Sequence, residues 1–252
     1  MAMEKVYEKT VGLLPDVVSG FCPGCMHGTA HKLVGEVVQE LGMLDKLVRV
    51  EGVGCCGLGQ SYVSHDTIIA AHGRACAVAT GVKRSSPESL VYTYQGDGDL
   101  ASIGLDETVS AANRGENFTV IFINNGIYGM TGGQMAPTTL IGMKATTAPF
   151  GRKPEEHGYP MHICEVLSQL KAPQLLVRTT VDTPANVIKT RKYIKQAFQN
   201  QIDGKGFSLV EIVTTCPTNW GYTPKAAIDF LRNDMLKEFP VGVYRDKDAG
   251  IC

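Results

Sequence analysis

Short apolar runs alternate with stretches of helical period along this chain, and that alternation most constrains its fold. The segments LVRVEGVGCCG, SLVYTYQ, FTVIFIN, QLLVRTTVD and FSLVEIVTTC read as strands, several of them ending in glycine or cysteine loops. GTAHKLVGEVVQELGM places Ala30, Leu33, Val34, Val37, Val38 and Leu41 on one helical face. IIAAHGRACAVATGVKRSSPES reads as a helix rich in small residues followed by a polar loop, LDETVSAANRG as a helix closed by Gly115, and TPANVIKTRKYIKQAFQN as a further helix. Strands that are apolar on both faces need helices on both faces. The expected fold is therefore α/β, with a mostly parallel sheet covered on each side. Hydrophobic residues make up 44% of the chain, enough to fill such a core. Met135 to Tyr159 lacks a period and is rich in Gly, Pro and Thr, which predicts a long functional loop or lid. The predicted organisation is an N-terminal extension over 1–20, a main domain over 21–223, and a C-terminal helix (KAAIDFLRNDMLKEF) with an irregular tail over 224–252.

The charge balance removes several function classes. A net charge of −1 gives no bulk electrostatic case for nucleic acid or an anionic membrane. No apolar run is long enough to span a bilayer. The first twenty residues carry Glu4 and Glu8 and lack the basic-then-apolar order of an export signal, so a cytoplasmic protein is expected. In that compartment the eight cysteines are not a disulfide framework, and regularly spaced thiols point to metal or chemistry.

Two polar motifs sit at predicted strand ends. Gly96-Asp97-Gly98 follows SLVYTYQ, and Asn124-Asn125 ends FTVIFIN after 25 intervening residues. In open parallel sheets ligands bind beyond the carboxyl ends of strands. A carboxylate, an amide oxygen and a backbone carbonyl are hard ligands suited to Mg²⁺, which keeps further positions for phosphate and water. Flanking glycines let backbone N–H groups approach a phosphate, and the following helix aims its positive end there. This pattern resembles the thiamine diphosphate-binding motif. By that resemblance Asp97 and Asn125 are side-chain ligands to Mg²⁺, Ile127 gives its carbonyl, and Gly98, Asp99, Gly129 and Met130 line the cofactor.

The cysteines add a second constellation. Cys22-x-x-Cys25 forms a tight turn favoured by Pro23 and Gly24, and alone it fits zinc, redox chemistry or chance. Cys55 and Cys56 lie in one strand-end loop and Cys216 in another, which supplies enough thiolates for tetrahedral zinc or a [4Fe–4S] cluster. Cys76 and Cys164 read as buried apolar residues, and Cys252 as an idle terminal one.

Together CPGC, GVGC, HGRACAVATGVK, GDGD, NNGIYGMTGGQ, PTT and CPT resemble, in order, the β subunits of 2-oxoacid:ferredoxin oxidoreductases, from about residue 21 to 221. The resemblance implies a thiamine diphosphate-binding fold with a [4Fe–4S] cluster on Cys22, Cys25, Cys55 and Cys216. Cys56 becomes a neighbour in the cofactor loop, and an exchange of roles between Cys55 and Cys56 stays open. Val53, Gly54 and His72 join the cofactor-binding set on the same ground. The implied reaction is oxidative decarboxylation of a 2-oxoacid to an acyl-CoA and CO₂, with electrons passing to ferredoxin. It implies partners too: an α-type subunit carrying the pyrimidine-binding domain and its activating Glu, a ferredoxin-like subunit, ferredoxin, coenzyme A and the 2-oxoacid.

Leu58 stands where relatives that act on 2-oxoglutarate or pyruvate commonly carry Lys or Arg. With Met130 it makes an apolar substrate pocket suited to a branched tail such as that of 2-oxoisovalerate. The alternatives are a partner-determined specificity for 2-oxoglutarate or pyruvate, a non-redox thiamine decarboxylase or carboligase with a structural zinc, and an electron-transfer or scaffold subunit without thiamine.

Overall fold

A computed structural model describes residues 8–252. The expected N-terminal extension therefore lies partly outside the described residues, as does Glu4. Nine strands and the helices between them are β1 (Leu47–Glu51), β2 (Asp66–Ile69), β3 (Leu90–Gly96), β4 (Thr119–Asn124), β5 (Ile127–Tyr128), β6 (Gln134–Met135), β7 (Leu175–Thr180), β8 (Ser208–Val213) and β9 (Gly242–Asp246). The helices that matter here are α1 (His27–Leu41), α2 (Ala75–Ser85), α3 (Leu105–Arg114), α4 (Pro154–His157), α5 (Ile163–Ser168), α6 (Pro184–Ile202), α7 (Pro217–Trp220) and α8 (Pro224–Phe230).

Seven strands form one sheet in the order β2-β1-β3-β4-β8-β7-β9, parallel throughout except for β9. Alternate residues of each strand face opposite sides. Ile121 and Ile123 of β4 join Leu33 and Val37 of α1 and Phe198 of α6 in one core, while Val120 and Phe122 join Ala79 of α2 and Ala111 of α3 in the other. The sheet thus has the helical cover on both faces that its apolar runs demanded. Local signals agree with these elements. Gly42 and Gly115 close α1 and α3 in the left-handed conformation, and Thr183 caps α6 by accepting from Asn186 N with Pro184 at the first position.

Three features depart from the sequence reading. Ile68 and Ile69, read as the start of a helix, belong to the edge strand Asp66–Ile69, and Gly242–Asp246, read as irregular tail, pairs antiparallel with β7. The described part of the extension packs on α1: Gly12 lies against Gly35, and Thr10 donates to Gln39 Oε1 at 2.8 Å. The stretch expected as a loose lid is a built wall. Thr138 and Thr139 are fully buried, and the Arg152 guanidinium donates to the carbonyls of Ala136, Pro137, Thr139, His157, Gly158 and Tyr159.

Chain order places β1 and β2 on one side of a reversal and β3, β4 and β8 on the other. Four neighbouring strands, β1, β3, β4 and β8, then deliver their carboxyl ends to one place.

Candidate functional site

Those four ends carry Cys55, Asp97, Asn125 and Cys216 respectively. Asp97 follows β3 and is 2% exposed. Its Oδ1 accepts from Gly98 N at 2.8 Å and its Oδ2 from Thr138 Oγ1 at 2.6 Å. Burial pushes its carboxyl up to about 6, against the opposing pull of these donors. A buried carboxylate held by neutral donors retains free lone pairs and favours a cation. Gly98 is required by sterics: a Cβ there would lie 2.1 Å from the Tyr128 ring, whose hydroxyl donates to Gly98 O at 3.1 Å.

The two asparagines diverge. Asn124 points into the core and donates to Glu211 Oε1 at 2.8 Å. Asn125 lines the cavity beside Asp97, its Oδ1 accepting from Ile127 N at 3.2 Å and its carbonyl from Trp220 Nε1 at 3.0 Å. Asp97, Asn125 and Ile127, the expected Mg²⁺ ligands, line one small cavity of about 90 Å³ together with Gly98, His72 and the glycine loop Val53–Gly54.

Asp99 holds that cavity together. Its Oδ1 accepts from Val53 N, Gly73 N and His72 Nδ1 at 3.0, 2.8 and 2.6 Å, and its Oδ2 accepts from Gln95 Nε2 at 2.7 Å. One buried carboxylate thereby ties the loops after β1 and β2 to the end of β3. Asp99 also opens a wide turn, Asp99–Ile103, closed by Gly104 N onto Asp99 O, before α3 begins. Although it lines the cavity, its oxygens are already taken by four protein donors. Arg74 pairs with Glu107 at the surface.

A second cavity of about 370 Å³ adjoins the first, and Cys22, Cys25, Cys55 and Cys216 all line it. Cys25 N donates to Cys22 O at 3.0 Å to close the CxxC turn, and Thr215 Oγ1 anchors that turn through Gly24 O at 2.7 Å. Asn219 Nδ2 donates to both Gly129 O and Cys216 Sγ, at 2.9 and 3.3 Å. Burial, with a smaller contribution from the neighbouring cysteines, pushes Cys25 up to about 12 and Cys55 up to about 11. Such thiols ionise only when a metal centre offsets the charge. No three His, Cys, Asp or Glu side chains among the described residues close on a single ion.

Cys56 does not line this space but borders the smaller cavity. It is 1% exposed, donates to Gly52 O at 3.1 Å and lies within the core. Cys76 and Cys164 are fully buried, and Cys252 is exposed.

The two cavities share His27, Cys55, Asn125, Gly129 and Met130. A Cβ on Gly129 would come within 3.2 Å of Cys55 Sγ and 3.5 Å of Cys216 Sγ, so this residue is the partition between them. His27, given no role from sequence, is buried in that partition with Nδ1 3.0 Å from Tyr94 Oη. In the sequence it reads as a residue that caps or flanks the first helix, and no local signal marked it. Leu58 lies on the turn Cys55–Ser61 and, with Met130, lines the cysteine cavity; it does not line the smaller one. No glutamate is among the residues of either cavity.

An open α/β sheet with a cation-type carboxylate and a glycine cradle at its switch point defines a phosphate-cofactor domain, here with a thiol-lined chamber behind it. Residues 52–212 match the family described as thiamine pyrophosphate enzyme, C-terminal TPP binding domain. The ketoisovalerate oxidoreductase subunit VorA of Methanothermobacter thermautotrophicus is 46% identical over 248 residues, covering 98% of this chain and 52% of that one. The 2-oxoglutarate synthase subunit KorB of Methanocaldococcus jannaschii is 36% identical over 222 residues, covering 86% and 78%. Among solved structures, the 2-oxoglutarate:ferredoxin oxidoreductase from Magnetococcus marinus, with 2-oxoglutarate, coenzyme A and succinyl-CoA bound, superposes with a TM-score of 0.75 at 28% identity, covering 92% of this chain and 82% of that one. The chain belongs to the thiamine pyrophosphate enzymes, among the subunits of 2-oxoacid:ferredoxin oxidoreductases. It spans about half the length of the VorA relatives it matches. No helix among the described residues is long and apolar enough to cross a membrane.

Proposed function

We propose that this chain is the thiamine diphosphate- and [4Fe–4S]-carrying subunit of a cytoplasmic 2-oxoacid:ferredoxin oxidoreductase, acting in a hetero-oligomer on branched-chain 2-oxoacids. The observation that carries the reading is the partition at Gly129. It sets a cation-and-phosphate cradle directly against a cavity walled by four cysteines. Both groups fit the residues present. Asp97, Asn125 and the Ile127 carbonyl offer Mg²⁺ hard oxygen, beside the glycine backbone of Gly98 and Gly54. Cys22, Cys25, Cys55 and Cys216 offer four thiolates around one cavity, the number a [4Fe–4S] cluster takes, and the resemblance to 2-oxoacid:ferredoxin oxidoreductases favours a cluster over a tetrahedral zinc.

Bound there, thiamine diphosphate would supply carbanion chemistry for decarboxylating a 2-oxoacid, and a cluster would supply one-electron transfer. The chain's own residues hold and orient. Asp99 fixes the Val53 amide and the His72 ring that border the cradle. Asn219 donates to Cys216 Sγ, a bond that stabilises a thiolate and fixes its direction. The resemblance supports an activating Glu from an α-type partner subunit and further clusters from a ferredoxin-like one.

The substrate assignment rests on Leu58 and Met130, whose apolar side chains border the cysteine cavity and offer no partner to a distal carboxylate. The 46% identity to ketoisovalerate oxidoreductase subunits supports it, while the KorB relatives keep 2-oxoglutarate as the rival. The test is kcat/KM of the assembled complex for 2-oxoisovalerate and 2-oxoglutarate, with coenzyme A and a viologen or ferredoxin acceptor. Preference for 2-oxoisovalerate is expected. Strong preference for 2-oxoglutarate overturns the substrate assignment, and no coenzyme A-dependent acceptor reduction with either acid overturns the reaction.

A further inference from the structure

The loop between β6 and α5 has no counterpart in the roles assigned so far, yet it reaches the centre of the site. Thr138 is fully buried, and its hydroxyl donates to Asp97 Oδ2 at 2.6 Å, across 41 residues of sequence. Beside it, Thr139 Oγ1 donates to Gly126 O at 2.6 Å and accepts from Ala136 N at 2.8 Å, which pins the loop to the turn that carries Asn125 and Ile127. Behind both threonines Arg152, 5% exposed, gathers six backbone carbonyls from 136–139 and 157–159. Buried guanidinium groups usually pair with carboxylates, so one given over to carbonyls fixes a backbone path.

We propose that Thr138 is a positioning residue for the metal ligand Asp97, and that Arg152 holds Thr138 in place for it; this rests on the thiamine diphosphate reading above. Each carboxylate oxygen has two lone pairs. With Gly98 N on Oδ1 and Thr138 on Oδ2, and the amides of Gly126 and Asn125 also drawn to the carboxylate, the Asp97 plane is fixed toward the cavity that would take Mg²⁺. Without the hydroxyl, Oδ2 loses its side-chain donor and the carboxyl group is free to turn. Partners that orient a metal ligand in this way typically control about 10–100-fold in metal affinity.

The experiment is an Mg²⁺ titration of the assembled complex at fixed thiamine diphosphate, reading retained cofactor after desalting, in Thr138→Val, Thr138→Ser, Arg152→Lys and Asp97→Ala. Thr138→Val is near-isosteric and should raise the Mg²⁺ needed for half-occupancy by about 10–100-fold. Its cofactor-free melting temperature should stay at the wild-type value. Thr138→Ser, which keeps the hydroxyl, should restore the wild-type dependence, and Arg152→Lys should fall between the two. A Thr138→Val complex with wild-type Mg²⁺ dependence overturns the inference, as does a cofactor loss matched by an equal loss of melting temperature. Asp97→Ala separates the two levels. If it loses cofactor while Thr138→Val does not, only the inference fails; if it too retains cofactor, the thiamine reading fails with it.

Discussion

Asp97 and Asp99 are two residues apart, equally buried, and chemically different because of what faces them. Asp99 spends its oxygens on the amides of Val53 and Gly73, the His72 ring and Gln95 from three separate segments, whereas Asp97 is held by Thr138 and the amides around it and looks into the cavity beside Asn125. Asp97→Ala should therefore abolish Mg²⁺-dependent thiamine diphosphate binding, by more than about 100-fold, since a direct ligand outweighs its supports. Equilibrium dialysis with and without Mg²⁺ measures it, and wild-type occupancy in the variant would remove the motif's role. Leu58 is the residue on which the proposed substrate class rests. Leu58→Lys strands an ammonium against an apolar tail and should lower kcat/KM for 2-oxoisovalerate by about tenfold or more, while that for 2-oxoglutarate holds or rises. Unchanged values for both acids would take Leu58 out of the substrate's surroundings. At this scale the sequence was informative where a motif carried the residue, as with Asp97, Asn125 and the paired cysteines. It carried Thr138 only inside the PTT motif, with no role, and gave none to His27 or Arg152, whose contacts span long stretches of chain.

The cysteine chamber is assembled by four separate elements: the turn before α1, the turn after β1, the partition after β5, and the start of α7. Which of Cys55 and Cys56 faces it depends on the tight turn Cys55–Ser61, which sends successive side chains in different directions, and sequence alone left that open. Cys22→Ala, Cys25→Ala, Cys55→Ala and Cys216→Ala should each lower iron and sulfide in anaerobically purified protein, while Cys56→Ala, Cys76→Ala and Cys164→Ala should not. Equal iron in all seven variants would place any cluster elsewhere. The interior strands β3, β4 and β8 were legible because burial on both faces leaves unbroken apolar runs. The edge strands were not: β2 is mostly exposed, and β9 is a partly exposed strand in a polar tail, so neither carries the apolar signature. The Arg152 loop looked like a lid because its order comes from one guanidinium and not from any periodic pattern.

Across the whole molecule, stability should carry a histidine signature. Burial first, and then the Arg49 charge, push His65 down to about 4 and also lower His31. Unfolded, both titrate near about 6.5. Below that value the unfolded chain takes up protons that the folded one refuses, so their contribution is complete above about pH 6.5 and is lost as pH falls toward about 4. Asp97 and Glu51, raised by burial, act in the opposite direction, so the signal is read as a difference. Relative to wild type, His65→Gln should gain up to about 1.4 kcal/mol of stability between about pH 7.5 and about pH 5.5 in denaturant titrations, and a pH-independent difference would contradict it. The account's central claim is that one chain holds a thiamine diphosphate cradle and a [4Fe–4S] chamber on the two sides of Gly129. Its most direct test is to purify the complex anaerobically and measure thiamine, magnesium, iron and acid-labile sulfide per copy of this chain. Then Cys22→Ala and Asp97→Ala are compared. The account predicts a brown protein in which Cys22→Ala loses a cluster's worth of iron and sulfide but keeps thiamine, and Asp97→Ala loses thiamine but keeps the iron. A colourless protein containing zinc, or iron and thiamine unchanged in both variants, would contradict it.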